Sequence, residues 1–347
     1  SPTGKTAKLG LEQTHPSYEH RTIVRETTLA EWTKNPKAGN PDISTALQGS
    51  DSHGKPTGLP KSVWTPHEYN GKYRWGLGVD LNACTGCGAC VVACNIENNI
   101  PVVGRLEVHR KGDMHWMRID RYYSERKEAT PKPGDYDWDP VENDWLGLAD
   151  NPQVIFQPVM CQHCENAGCE TVCPVLATVH TTEGLNSMAY NRCIGTRYCA
   201  NNCAYKVRRF NWFQYPQGEM ADNRDYKLAS LALNPDVTIR SRGVMEKCSM
   251  CVQRIQLAKS EVLREGRDTV RDGDVQTACQ QTCPTSAITF GNLNDPKSAL
   301  NEVRHDPRSY RMLEEINTRP SVWYQTKVRH SWDMMPEGGN APKAKKG

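Results

Sequence analysis

The chain has 347 residues, enough for about two domains of average size, but only 37% of them are hydrophobic and the mean hydropathy is −0.70. This composition excludes one large hydrophobic core and favours small centres surrounded by polar loops and tails. The 43 basic and 40 acidic residues give a net charge of +3 without a dominant block, so nucleic acid is not the expected partner.

The apolar stretches are short, as at 89–94, whereas a bilayer-spanning helix needs about 20 apolar residues. We therefore expect any membrane association to run through a partner. No signal-peptide or twin-arginine pattern is visible near Ser1. Because the chain begins without Met, it is interpreted either as trimmed or as part of a longer polypeptide.

Taken in chain order, residues 1–74 predict an extended polar arm, because Pro and Gly interrupt them and no hydrophobic periodicity is sustained. Residues 75–291 carry every cysteine and form the predicted domain, and residues 292–347 predict a C-terminal extension. Within the domain the patterns indicate strands at 114–120 and 153–156, a hairpin at 177–190, and helices at 91–98 and 252–264.

The 15 cysteines are the strongest signal in the sequence. Their number is odd, most of them sit in tight runs, and the chain is too large to need a disulfide framework, so disulfides are not expected. They form four groups, at 84–94, 161–173, 193–203 and 248–283.

The first group, CTGCGACVVAC at 84–94, has the spacing C-x2-C-x2-C-x3-C, which is typical of iron-sulfur cubanes in two-cluster ferredoxins. Two-residue gaps let one loop follow three corners of the cluster, and Gly86 and Gly88 permit the positive φ that turns N–H groups toward sulfur. Zinc is the alternative, but structural zinc sites use separated C-x2-C pairs rather than four cysteines in one short run.

The other groups vary this spacing. The second has a wider middle gap, and the fourth is split into 248–251 and 279–283; both end in Cys-Pro, as bacterial ferredoxin runs do. Four related segments indicate two copies of a two-site unit. The predicted fold is therefore α+β: tandem bacterial-type, two-cluster ferredoxin-like modules with long irregular insertions and extended terminal arms.

Thr196 interrupts the third group, CIGTRYCANNC at 193–203. Aligned with the first group, Thr196 stands in the position of Cys87. Four cubanes would use sixteen thiolates and the chain has 15, so we expect a three-iron cluster here. The alternatives are a four-iron cluster with the Thr196 oxygen or water on the odd iron, and an empty site.

Several residues near the cysteines have two possible roles. His163 is expected to pack beside a cluster and donate a hydrogen bond, with the alternative of an iron ligand. Lys206, Arg208 and Arg209 follow Cys203; they form either a solvated basic turn or a set of cations that raises a cluster potential.

These spacings resemble the four-cluster ferredoxin-like electron-transfer subunits of the dimethyl sulfoxide reductase, polysulfide reductase and formate dehydrogenase type, over about residues 75–295. Longer strings, such as DLNACTGC at 80–87 and HWMRIDRYY at 115–123, resemble the iron-sulfur domain of bacterial alternative complex III, a quinol-oxidising membrane complex. In that family the domain follows, in the same subunit, a large molybdopterin-like domain that lacks the cofactor. The chain is thus expected to be either the carboxyl-terminal part of such a subunit or a separately encoded version.

The resemblance implies that the first group pairs with the fourth and the second with the third, giving three [4Fe-4S] clusters and one [3Fe-4S] cluster. It implies the following ligand sets: Cys84, Cys87, Cys90 and Cys283; Cys248, Cys251, Cys279 and Cys94; Cys161, Cys164, Cys169 and Cys203; and, for the three-iron cluster, Cys193, Cys199 and Cys173, with Thr196 at the vacant corner.

The resemblance also implies a function. Electrons would come from quinol oxidised at an integral membrane subunit of polysulfide-reductase-like fold and leave toward multihaem and monohaem c-type cytochrome subunits, at the periplasmic face of the inner membrane. No residue pattern for bond-making catalysis or haem attachment is evident. The alternatives are the electron-transfer beta subunit of a molybdopterin oxidoreductase and, from another class, a zinc-bearing structural or nucleic-acid-binding protein.

Overall fold

The computed structural model describes residues 21–40, 64–124, 153–213 and 231–330, together with 10–12, 48–50, 56–60 and positions 6 and 62. Parts of the predicted arm and tail lie outside the described residues. The strands are β1 Glu26–Thr28, β2 Gln48–Ser50, β3 Pro56–Pro60, β4 Trp75–Asp80, β5 Arg118–Ser124, β6 Gln153–Val159, β7 Thr178–His180, β8 Asn186–Met188, β9 Arg209–Phe210, β10 Met245–Glu246, β11 Ile288–Asn292, β12 Ser309–Tyr310, β13 Val322–Gln325 and β14 Lys327–Arg329.

The helices are short, apart from one near the fourth cysteine group. They are α1 Leu29–Lys34, α2 Ala89–Glu97, α3 Gly104–His109, α4 Gly168–Thr171, α5 Tyr198–Asn201, α6 Val252–Arg264, α7 Ala278–Gln281 and α8 Ala299–His305, with 3-10 turns at Tyr190–Arg192 and Glu314–Ile316. Within the described part of the chain, none is both long and apolar enough to cross a bilayer.

Four strands form a sheet in the order β11-β4-β13-β12. Its central strand β4 pairs antiparallel with β11 and parallel with β13. Helix α8 lies directly over β4, because the strand has glycine where a side chain would collide. A Cβ on Gly76 would lie 3.0 Å from Leu300 Cδ2, and one on Gly78 would lie 2.7 Å from Val303 Cγ1. The two glycines thus set the close approach of helix and sheet.

The segment after Gly291, predicted as an extension, contributes two strands to this sheet. Strand β13 is buried along its whole length, which suits an apolar run paired on both edges. Farther along, β14 pairs in parallel with β1 from the N-terminal region. Chain segments from both sides of the predicted domain therefore pack against it.

Several predicted elements are confirmed. Helix α6 has the predicted bounds and buries Ile255, Ala258 and Val262, which share one helix face. The predicted hairpin is β7–β8. The strand predicted from residue 114 begins only at Arg118, which pairs with Val159, the last residue of the partner strand β6.

The short helices link the cysteine groups in pairs. Helix α2, which follows the first group, contacts α7, which lies within the fourth; α4 of the second group contacts α5 of the third. The fold thus contains two modules, one built from chain segments far apart in sequence and one built from residues 161–203.

Candidate metal centres

All four cysteine groups contain the same left-handed turn two residues after their first cysteine. Its φ is +70° at Gly86, +44° at His163, +75° at Gly195 and +53° at Met250. Left-handed backbone is unfavourable for residues other than glycine, so His163 and Met250 hold it only because their surroundings enforce it. The shared turn is the structural form of the repeat seen in the sequence.

The first thiol set lies at the surface end of the first module. Cys84, Cys87, Cys90 and Cys283 line one small cavity. Burial, followed by the charges of Cys84, Cys283 and Cys87, raises the pKa of Cys90 to about 11. The Ala287 N–H donates to Cys283 Sγ at 3.2 Å. Cys87 is exposed, so this set is the one closest to solvent in its module.

The second set is deeply buried and combines one cysteine of the first group with three of the fourth. Burial, and then the charges of Cys248, Cys251 and Cys279, raises the pKa of Cys94 well above its usual value. Cys94 lies in helix α2, one turn after Cys90. The Ala278 N–H donates to Cys251 Sγ at 3.4 Å.

The third set lies in the second module. Burial, and then the charges of Cys161, Cys203 and Cys169, raises the pKa of Cys164 well above its usual value. The guanidinium of Arg208 donates from Nη2 to Cys169 Sγ at 3.1 Å. This is a charge-assisted contact between a buried cation and a sulfur atom.

The fourth set has three cysteines. Cys173, Cys193, Cys199 and Thr196 line one small cavity. The Met245 N–H donates to Cys193 Sγ at 3.3 Å. Thr196 follows the left-handed Gly195 just as Cys87 follows Gly86, so the structure places Thr196 in the backbone position of a cysteine.

The donor chemistry of all four sets fits iron-sulfur clusters. All 15 cysteines are free, and they converge as thiols in groups of four, four, four and three. Backbone N–H groups are aimed at several of the sulfurs, as a thiolate-bound cluster requires. Burial raises the pKa of Cys94 and Cys164, so metal binding there must displace protons.

The three basic residues after Cys203 have different roles. Arg208 is buried against Cys169, and thiol charges outweigh burial and raise its pKa. Arg209 is also buried but forms an ion pair with Asp113 at 2.7 Å. Lys206 donates from Nζ to the Asn201 carbonyl at 2.7 Å. Only Arg208 of the three contacts a cluster-site sulfur in the described residues, and neither arginine is part of a solvated turn.

His163 is fully buried within the second group. Its Nδ1 accepts the Asn186 N–H at 3.1 Å, and burial, then the charge of Lys247, lowers its pKa well below the usual value. The ring is therefore neutral, and Nε2 carries the proton. His163 remains a predicted hydrogen-bond donor.

A further polar cluster was not indicated by the sequence. His67, Glu170 and His180 bring their ligand atoms within 4.8 Å of one another. The two imidazole rings stack at 4.1 Å with an interplanar angle of 7°, so their in-plane lone pairs do not converge on one point. Both nitrogens of His180 are already hydrogen-bonded, to Glu170 and to Tyr69. This arrangement favours a hydrogen-bonded stack over a metal site.

We expect Gly195→Ala to destabilise the second module. A Cβ there would lie 2.5 Å from the Gly243 carbonyl oxygen, on a residue with φ of +75°. The left-handed backbone and the collision together should cost about 2–4 kcal/mol, measured as a lower thermal midpoint and faster iron loss. Gly88→Ala is the matched control: its φ is +80° but nothing lies within 4 Å, so the expected cost is about 1 kcal/mol. Equal effects of the two variants would contradict the packing argument.

Comparison with known proteins agrees with this chemistry. Two family models, both described as a 4Fe-4S dicluster domain, match the chain, one over residues 83–177 and the other over residues 152–222. The fold and the thiol sets thus define a protein with tandem four-iron dicluster, ferredoxin-like domains of mixed helix and strand content.

Among characterised relatives, the chain is 38% identical over 264 residues to the iron-sulfur cluster-binding subunit of menaquinone reductase from Nitratidesulfovibrio vulgaris, covering 75% of this chain and 91% of the relative. It is 32% identical to a putative iron-sulfur subunit of dimethyl sulfoxide reductase from Halobacterium salinarum, covering 72% and 78%. It is 29% identical to iron-sulfur subunit 1 of an Hdr-like menaquinol oxidoreductase from Archaeoglobus fulgidus, covering 76% and 87%. The chain belongs to this family of iron-sulfur cluster-binding electron-transfer subunits.

Proposed function

We propose that the chain relays single electrons between a quinol-oxidising membrane subunit and c-type haem subunits, as in alternative complex III, on the periplasmic face of the membrane. Bound clusters would supply reversible one-electron redox chemistry. The protein would hold three four-iron clusters and one three-iron cluster, on the four thiol sets in the order described. The polypeptide itself would bind, space and insulate them.

The observation that carries this proposal is the continuity of the four thiol sets. Burial, then the charges of Cys251 and Cys248 of the same set, raise the pKa of Cys279. Cys90 of the first set lies close enough to Cys279 to add to this rise. Cys161 of the third set acts likewise on Cys248 of the second. Arg208 lies beside both Cys169 of the third set and Cys199 of the fourth. The four thiol sets form a linear series, and such a series suits electron transfer from one end of the series to the other.

The relatives support the quinone side of the proposal, since two are named for menaquinone or menaquinol. They also support the second candidate, the electron-transfer beta subunit of a molybdopterin oxidoreductase, because another relative is named for dimethyl sulfoxide reductase. The two candidates share the relay and differ in the partner at one end.

Anaerobic purification of the native complex tests the proposal. We expect iron and acid-labile sulfide in near-equal amounts, c-type haem in co-purifying subunits, and reduction of the clusters when a menaquinol analogue is added, followed by electron paramagnetic resonance. Molybdopterin in a partner without c-type haem would favour the second candidate. Zinc without iron and sulfide would contradict both.

A further inference from the structure

Lys247 is a buried lysine at the boundary between the two modules. It directly precedes Cys248, and its side chain is 1% exposed. Its Nζ donates to the Cys248 carbonyl at 2.9 Å and to the Asn186 carbonyl. Among the described residues, no carboxylate forms an ion pair with it, so its positive charge must be balanced by some other group.

Two other buried cations in the molecule have a carboxylate partner. Arg240 pairs with Glu246 at 2.8 Å, and Arg209 pairs with Asp113 at 2.7 Å. Burying an ammonium without a counter-charge costs several kcal/mol. Lys247 has no such direct partner among the described residues, so its charge must be balanced by a group that does not form an ion pair with it.

The hydrogen bonds of Asn186 lead from Lys247 to two acceptors. Its carbonyl accepts from Lys247, and its side-chain Nδ2 donates to Glu170 Oε1 and reaches Cys169 Sγ at 3.8 Å. Glu170 is also hydrogen-bonded to His180, whereas Cys169 belongs to the third thiol set. Lys247 thus connects Cys248 of the second thiol set to Cys169 of the third, through two carbonyls and one amide.

We propose that Lys247 is a positioning residue for electron transfer between the modules: its fixed charge stabilises the reduced, more negative state of the second and third clusters. This inference rests on the proposed relay. Each transfer oxidises one site by one electron and reduces its neighbour by one, without a change of bonds. By favouring the reduced form at both central sites, Lys247 makes the transfer of an electron from an outer cluster into the central pair more favourable, while the step across the module boundary keeps its driving force.

Potentiometric titration of the native complex, followed by electron paramagnetic resonance, tests this role. Lys247→Met keeps a side chain of similar length and removes the charge. In this variant we expect the equilibrium constant for reduction of each central cluster to fall about tenfold, which lowers its reduction potential by about 59 mV for one electron. The two outer clusters should change much less. Lys247→Arg should restore the central potentials. Lys72→Met, at an exposed lysine paired with Asp268, is the control and should change none.

Lys247→Gln is a second neutral variant, to be used if Lys247→Met fails to fold. The glutamine amide can still donate a hydrogen bond to one of the two carbonyls. Unchanged central potentials in a fully loaded neutral variant would overturn the inference and leave the relay intact. Failure of both neutral variants to assemble would indicate a purely structural lysine and would also overturn it. Absence of iron-sulfur signals from the unaltered complex would instead contradict the proposed function.

Discussion

Replacing Thr196 with cysteine is expected to convert the proposed three-iron cluster to a four-iron type. Thr196 lines the cavity formed by Cys173, Cys193 and Cys199, and it follows Gly195 in the left-handed turn shared by all four groups. A thiol at this position therefore starts from the same backbone geometry as Cys87. With four thiolates the vacant corner can hold its iron, because thiolate is the ligand that these clusters use.

Electron paramagnetic resonance of the oxidised protein measures the conversion. The unaltered chain should give a near-isotropic signal close to the free-electron value, and Thr196→Cys should lose it while gaining iron. Ile194→Cys is the matched control, since it adds a thiol to the same loop at an exposed position outside the cysteine spacing. A three-iron signal that persists in loaded Thr196→Cys protein, or its absence from the unaltered protein, would contradict the role given to Thr196.

The proposed crossing of ligands between groups predicts a specific pattern of iron loss. If Cys94 and Cys279 both bind the second cluster, then Cys94→Ala and Cys279→Ala damage the same site. The double variant should lose about as much iron as the more damaging single variant. Cys94→Ala combined with Cys90→Ala damages two sites, so its losses should add, as expected for independent sites.

Iron and sulfide analysis of the purified variants, with spectra of the remaining clusters, provides the measurement. The two double variants are matched, because each removes two buried cysteines from the same module. Additive loss in the Cys94/Cys279 pair, together with non-additive loss in the Cys94/Cys90 pair, would show that Cys94 binds with its own group and would reject the crossing.

The local form of the first site could be predicted from the sequence, because ferredoxin spacing determines the loop within a few residues. The left-handed turn at Gly86 was foreseeable for the same reason. The same turn at His163 and Met250 was not, since neither residue favours positive φ and only the surrounding packing imposes it. The helix at Val252–Arg264 was also predictable, because its apolar face has a clear helical period.

The pairing of cysteine groups that are far apart in the sequence could not be predicted from the spacing of the cysteines. Contact of α2 with α7 depends on packing across most of the chain, and in the sequence only a family resemblance indicated it. Side-chain direction was equally hidden: Arg208 and Arg209 are neighbours, yet one contacts a sulfur and the other an aspartate. The roles of Lys247 and of strand β13 also depend on long-range contacts that no local pattern encodes.

The division into one contiguous and one discontinuous module bears on biosynthesis. The second module draws its cysteines from residues 161–203 alone, whereas the first joins residues 84–94 to residues 248–283. Strand β4 stays without its neighbour β11 until the ribosome has passed residue 292, and without β13 until it has passed residue 325. On the proposed ligand sets, the module that begins first along the chain is the last that can be completed. We therefore expect the thiols at 84–94 to remain reduced and metal-free, or bound to an assembly factor, at least until residues 248–283 have been synthesised.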